Sequence, residues 1–190
     1  LCQIISSLSH LTALLLPATY FNPKSIVIIC EYISQLSGLT HLDLSSSTLD
    51  EASVNVLGKM VRSLPILHLE LGDIEWESGG LESLFTQFDD WSQLKSLNLR
   101  SFDRHLDKEK SIALAKQLSK LTYLTMLDVR CGDPDDYRAF LAPLKSLPLQ
   151  VLFLYAPQGS EAILEQAFPS KRIVFQRYYF LIHDTSLPTL

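Results

Sequence analysis

Apolar residues recur along this chain in a fixed pattern. In four segments they stand three, three and two positions apart, as in Leu36, Leu39, Leu42 and Leu44, and two further segments, both beginning Ser-Leu-Pro, lack one residue of the pattern. The copies repeat about every 28 residues, a period typical of stacked repeat architectures. The last apolar position of each copy falls at Leu16, Leu44, Leu71, Leu99, Val129 and Leu154.

Each copy ends in a short alternating stretch, which predicts a strand with its leucines on one face. Between the strands, helix-starting residues precede apolar positions at helical spacing. Asn22 before Pro23 predicts a helix over 23–36, and Thr48 with Glu51 has the spacing of a capping box for the next helix. Strands that alternate with helices predict an α/β fold with a parallel sheet and right-handed crossovers. Further helices are predicted over 79–88, 108–118, 135–144 and 161–168.

The chain resembles leucine-rich-repeat proteins over about residues 8 to 175, and its helical 28-residue units look like the ribonuclease-inhibitor-like subclass. The phrase Leu39-Thr40-His41-Leu42-Asp43-Leu44-Ser45 is typical of that family. The resemblance implies one solenoid (horseshoe) domain over 1–190, with a parallel sheet on the concave face and helices on the convex face. It implies six to seven repeats, the last a degenerate copy at Ile173 and Phe175, with a partial N-terminal cap over 1–7. The tail over 176–190 is expected to cap the C-terminal end, or else to bind a partner.

The chain departs from the family after each strand. Where the family places Asn or Cys to satisfy the turn, this sequence has Thr19, Ser47, Ile74, Phe102 and Gly132. Ile, Phe and Gly have no side-chain group for that task, so we expect an irregular turn. Divergent repeats of this kind are similar to those in effector proteins of intracellular bacteria.

Composition narrows the range of partners. The 190 residues are 47% hydrophobic and 19% charged, with a net charge of -5, which predicts a sizeable core and disfavours nucleic acid as a partner. No apolar run approaches the ~18 residues of a membrane span.

Three scattered cysteines, Cys2, Cys30 and Cys131, favour a reducing, intracellular setting, which for an effector would be the host cytosol. The start at Leu1 suggests a piece of a longer protein.

Motifs for catalysis or cofactors are absent from the sequence, including Gly-rich phosphate loops, GxSxG and HExxH. We therefore expect no enzyme activity, cofactor, metal or small-molecule substrate. One pair needs a second interpretation: His41 and His68 fall on neighbouring strands, with Asp43 and Glu70 two residues on. A metal site or an acid–base pair is conceivable there, whereas the simpler interpretation is a solvated polar face.

The residues between the strand leucines predict a binding surface on the concave face. Aromatic residues and arginine are the usual anchors of protein interfaces. Phe153 is either such an anchor or a plug beneath the tail. Trp76, between Glu75 and Glu77, is either exposed or packed over the loop edge. The predicted anchors are Phe153, Tyr155, Arg130, Arg100 and Trp76. Asp43, Glu70 and Asp128 are expected to set charge complementarity, and His41, His68 and Met126 complete the surface.

These patterns favour a protein–protein interaction module that binds a protein partner through its concave face and the loops that follow the strands. The family resemblance implies that such binding can inhibit or regulate an enzyme by covering its active site. The alternative is a scaffold or targeting domain of a larger multidomain protein, such as a secreted bacterial effector.

Overall fold

The computed structural model describes residues 8–100, 107–130, 137–155, 160–169, 171–176 and 179–184. Within these ranges short strands alternate with six α-helices. The strands are β1 (Ala13–Leu15), β2 (His41–Asp43), β3 (Thr48–Leu49), β4 (His68–Glu70), β5 (Glu75–Trp76), β6 (Ser96–Leu99), β7 (Met126–Arg130), β8 (Val151–Tyr155), β9 (Lys171–Gln176) and β10 (Tyr179–Asp184). The helices are α1 (Pro23–Ile33), α2 (Glu51–Ser63), α3 (Gly80–Gln87), α4 (Lys108–Leu118), α5 (Tyr137–Leu144) and α6 (Glu161–Ala167).

The main sheet has eight strands in the order β1-β2-β4-β6-β7-β8-β10-β9. Its first six strands are parallel and follow chain order, and one helix precedes each strand after β1. This arrangement confirms the predicted mixed α/β fold with a mostly parallel sheet. Parallel pairing of successive strands requires a crossover of about a dozen residues or more, which the helices supply.

The strand leucines form the centre of the core. Five of them occupy matching positions on five neighbouring strands and are fully buried against the helices. Because a single strand–helix unit cannot cover its own apolar side, each unit depends on its neighbours for burial. These leucines are Leu42, Leu69, Leu97, Leu127 and Leu152.

Side chains of Asn22, Asp50 and Asp107 cap the starts of α1, α2 and α4, and the cap of α2 differs from the sequence prediction. Asn22 Oδ1 accepts a hydrogen bond of 2.9 Å from the backbone N–H of Ser25, as predicted for the start of α1. At α2 the capping box predicted for Thr48 and Glu51 is wrong. Asp50 is the cap, and its side chain and that of Ser53 bond reciprocally to each other's backbone N–H. Thr48 lies in β3 instead, where its own N–H donates to Phe21 O.

The turns that follow β1, β2 and β4 are more regular than the sequence predicts. Ala18, Ser46 and Asp73 each adopt a left-handed backbone conformation. Their backbone N–H groups donate to the carbonyl oxygens of Ser45, Gly72 and Arg100 in the next unit, at 3.3, 2.9 and 2.9 Å. The irregular turn predicted from Ile74 is therefore wrong here, because backbone bonds between units replace the side-chain capping, and Ile74 is buried. The turns at Phe102 and Gly132 lie outside the described residues.

The C-terminal end of the sheet also differs from the prediction. Ile173 and Phe175 lie on β9, but β9 does not continue the parallel series beside β8. The antiparallel strand β10 lies between them and pairs with both. Although α6 precedes β9, β9 and β10 are adjacent in the chain and pair as an antiparallel hairpin, and β10 takes the position beside β8.

Candidate functional site

The face of the main sheet opposite the helices, here called the open sheet face, carries most of the predicted binding residues. Strand register places them in two rows that run across the sheet. The first row contains Ala13, His41, His68, Ser96, Met126 and Val151. The second row contains Leu15, Asp43, Glu70, Asn98, Asp128 and Phe153.

His41 and His68 form a stacked pair in the first row. Their ring centroids lie 4.1 Å apart and their planes are inclined by 6°. The Thr40 hydroxyl donates to Thr12 O at 3.0 Å and lies 2.8 Å from His41 Nδ1. The Thr40 hydroxyl therefore connects the His41 ring with the backbone of Thr12, which directly precedes β1.

The stacked pair favours a neutral ring at His68. Burial lowers the pKa of His68, and the nearby His41 and Lys95 lower it further. Two parallel rings at this separation do not direct their nitrogens toward one point, as ligands of a single metal ion must. Among the side chains that the structure describes, no group of three or more His, Cys, Asp or Glu is arranged to hold a metal ion.

Three carboxylates share the second row. Asp43 Oδ1 accepts the N–H of Ser45 at 2.8 Å. Burial raises the pKa of Glu70, its hydrogen bond to Asn98 opposes this, and the charge of Asp43 adds to it. Burial also raises the pKa of Asp128 to about 6, against the attraction of Arg100. Glu70 and Asp128 are therefore partly desolvated.

Arg100 lies at the loop end of the same face. Its guanidinium contacts the Asp73 carboxylate at 2.9 Å, and both side chains are well exposed. The Arg100 backbone N–H also donates to Asn98 Oδ1 at 2.8 Å. An exposed ion pair of this kind contributes about 1 kcal/mol or less to stability. Its consequence is local: Arg100 is held beside the carboxylate row by a loop residue, Asp73.

Apolar side chains interrupt the polar face near its C-terminal end. Met126 is 40% exposed and lies two residues before Asp128 on the same side of β7. Phe153 is the register partner of Asp128 and is half-buried. The backbone of Leu181 in β10 pairs beside Phe153. The tail thus borders Phe153, and part of the ring stays exposed.

The expectation of an exposed Trp76 anchor is wrong. Trp76 is only 9% exposed and belongs to β5, which pairs with β3 in a second, two-stranded sheet. Successive side chains of a strand point to opposite faces, so Glu75 stays exposed while the indole packs into the core. Trp76 therefore contributes to the structure and not to the open sheet face.

Two predicted anchors lie outside the described side chains. Arg130 and Tyr155 are described as backbone positions only, in register with each other at the ends of β7 and β8. Conversely, Asn98, which the repeat places on the same face, and Asp73 are not among the predicted binding residues, yet they connect the carboxylates with Arg100. The repeat contained a signal for Asn98, because it occupies the same position as Asp43 and Glu70.

Two other features bear on chemistry. Cys30 is a buried free cysteine, and burial raises its pKa to about 12, so the thiol stays protonated. No helix within the described ranges combines the length and the apolar character that a membrane crossing requires.

Comparisons with known proteins identify a fold relative. No protein-family model matches the chain, and no curated protein is significantly similar to it in sequence. Among solved structures, the chain is similar to that of the leiomodin-1 actin-binding site 2 (ABS2). The two are 14% identical, with a TM-score of 0.61 over 76% of this chain and 86% of the other. At this identity the likeness concerns the fold.

Proposed function

We propose that this chain is a leucine-rich-repeat module that binds a partner protein through its open sheet face and catalyses no reaction. In this proposal the strand–helix units form a solenoid, with the open sheet face on its concave side. Inhibition or regulation of an enzyme by covering its active site is one consequence that such binding can have.

The observation that carries the proposal is the composition of the open sheet face. Six parallel strands present side chains in register, and Leu15, His41 and Met126 on that face are exposed. Partly desolvated Glu70 and Asp128 lie beside an exposed Met126. Folding alone does not require carboxylates and an exposed methionine at neighbouring positions, whereas protein interfaces combine apolar contacts with directed polar groups.

A matched pair of variants tests the proposal. Met126→Lys places a positive charge on the open sheet face, and Ile28→Lys makes the same kind of change on α1, where Ile28 is 50% exposed. With purified chains as bait in extracts of the source cell, we expect a partner that the wild type and Ile28→Lys recover and that Met126→Lys loses. Recovery of the same proteins by all three chains would contradict binding through this face. Thermal unfolding checks that both variants fold.

Actin is a defined additional probe, because the structural neighbour is an actin-binding site of leiomodin-1. We do not propose actin as the partner, since 14% identity does not carry binding residues from one chain to another. Cosedimentation with actin filaments measures this directly. Binding that is lost in Met126→Lys would identify actin as a ligand of the open sheet face.

A further inference from the structure

The carboxylates of the second row are spaced for contact with a single extended partner. Asp43 and Glu70 lie on adjacent strands, Asn98 on the next and Asp128 on the one after. Neighbouring strands are about 4.8 Å apart, so the row from Asp43 to Asp128 covers about 14 Å. A segment of a few residues that crosses the strands can reach all three carboxylates.

No described side chain neutralises this row by an ion pair. Arg100, the nearest described guanidinium, contacts Asp73 at the loop end. Lys95 lies near His68, and the positive charge of Lys95 helps to lower the pKa of the His68 ring. Asp43 and Glu70 have hydrogen-bond partners, Ser45 and Asn98, but these are neutral groups.

Partial burial makes the row responsive to an external cation. Glu70 and Asp128 have lost part of their hydration, and the charge of Arg100, which contacts Asp73, offsets only part of this loss. A cation brought to a partly desolvated carboxylate interacts more strongly than one brought to a fully hydrated carboxylate. Phosphate groups would be repelled by the same row.

Apolar contacts beside the row restrict the partner further. Phe153 is adjacent to Asp128 across the strand pair, and Met126 lies on the same side of β7. Lys and Arg combine a charged end with an apolar stem that packs on such surfaces. A partner that also carries an apolar side chain would cover Met126 as its cation meets Asp128.

We infer that the open sheet face takes a basic segment of the partner protein, with Lys or Arg over Asp43, Glu70 and Asp128 and an apolar side chain over Met126 and Phe153. This inference rests on the proposed function and adds the chemistry of the partner. The charge complementarity of the face selects such a segment over acidic or uncharged ones.

Selection of peptides from a random displayed library on the immobilised 190-residue chain tests the inference. We expect enriched peptides to carry Lys or Arg next to apolar residues. The dissociation constant of a selected synthetic peptide, measured by fluorescence anisotropy, should rise about tenfold or more in Glu70→Gln/Asp128→Asn. The control Glu75→Gln/Glu77→Gln removes the same two charges from exposed positions of β5 and the loop after it, and should change affinity by less than about twofold.

The outcomes separate the two proposals. Uncharged peptides whose binding is lost in Met126→Lys would overturn the basic-segment inference and leave binding through the open sheet face intact. Basic peptides that respond equally to both charge-neutralised pairs would indicate attraction by net charge and overturn the inference too. Peptides that are insensitive to every change on the face, or no enrichment at all, would contradict both proposals.

Discussion

The imidazole rings of His41 and His68 stack at a centroid distance of 4.1 Å across two neighbouring strands. The contact is a product of the repeat, because both residues occupy the position before a buried strand leucine. It places two titratable rings side by side at the edge of the carboxylate row.

We expect His68 to titrate below its usual pKa of 6.5, chiefly because it is partly buried and also because His41 and Lys95 are near. Nuclear magnetic resonance titration of the His68 ring measures this pKa. In His41→Phe, which keeps a ring but removes its charge, the pKa should rise while remaining below 6.5. A wild-type value at or above 6.5 would contradict the stacked arrangement.

The same shift makes stability depend on pH. Because the pKa of folded His68 lies below that of the unfolded chain, its contribution is fully present above about pH 6.5 and is lost as the pH falls through the folded value. We expect His68→Gln to lose less stability than the wild type between pH 7 and pH 5. Urea unfolding at each pH provides the comparison.

The contribution of Asp128 to stability should change with pH in the opposite direction to that of His68. Burial raises its pKa from the usual 3.8 to about 6, so the stability linked to its protonation is present below pH 3.8 and is lost as the pH rises through 6. Asp128→Asn should therefore be more stable than the wild type at pH 7 to 8, by on the order of 1–2 kcal/mol, with the gain shrinking below pH 6. Glu77→Gln, at an exposed position, is the control and should show no such gain. A destabilised Asp128→Asn at pH 8 would contradict the prediction.

Gly80 lies at a close backbone contact between units. A Cβ at this position would lie 2.6 Å from the carbonyl oxygen of Leu49. This oxygen belongs to the backbone, so it cannot easily move to relieve the clash. We expect Gly80→Ala to lower the free energy of unfolding by about 2 kcal/mol or more. At Gly38 the nearest atom would be 3.8 Å away, so Gly38→Ala should be nearly neutral in the same denaturant measurement.

The start of α2 distinguishes the observed cap from the one that the sequence predicts. Asp50→Ala removes the side chain that accepts the N–H of Ser53 and should cost about 1 kcal/mol. Thr48→Ala should cost less, because Thr48 bonds through its backbone N–H, which the substitution retains. Equal or reversed losses of thermal stability would show that the cap lies at Thr48.

Much of the candidate site could be predicted from the sequence because the repeat fixes the register. Once Leu42 and Leu69 are equivalent, Asp43 and Glu70 must lie side by side, as they do. Trp76 could not be placed in this way. Its burial depends on pairing between β3 and β5, two dipeptides about 27 residues apart that carry no strand signal of their own.

The sequence by itself determined the alternation of the six parallel strands with helices, the leucines of the core and the face on which the charged side chains lie. These follow from periods of two residues in a strand and about 28 in the repeat, both of which are local properties of the chain. Only the tertiary structure decided that β10 lies between β8 and β9, that Trp76 is buried and that Asp128 loses part of its hydration. These outcomes depend on packing between distant residues, and a local pattern does not contain the environment that such packing creates.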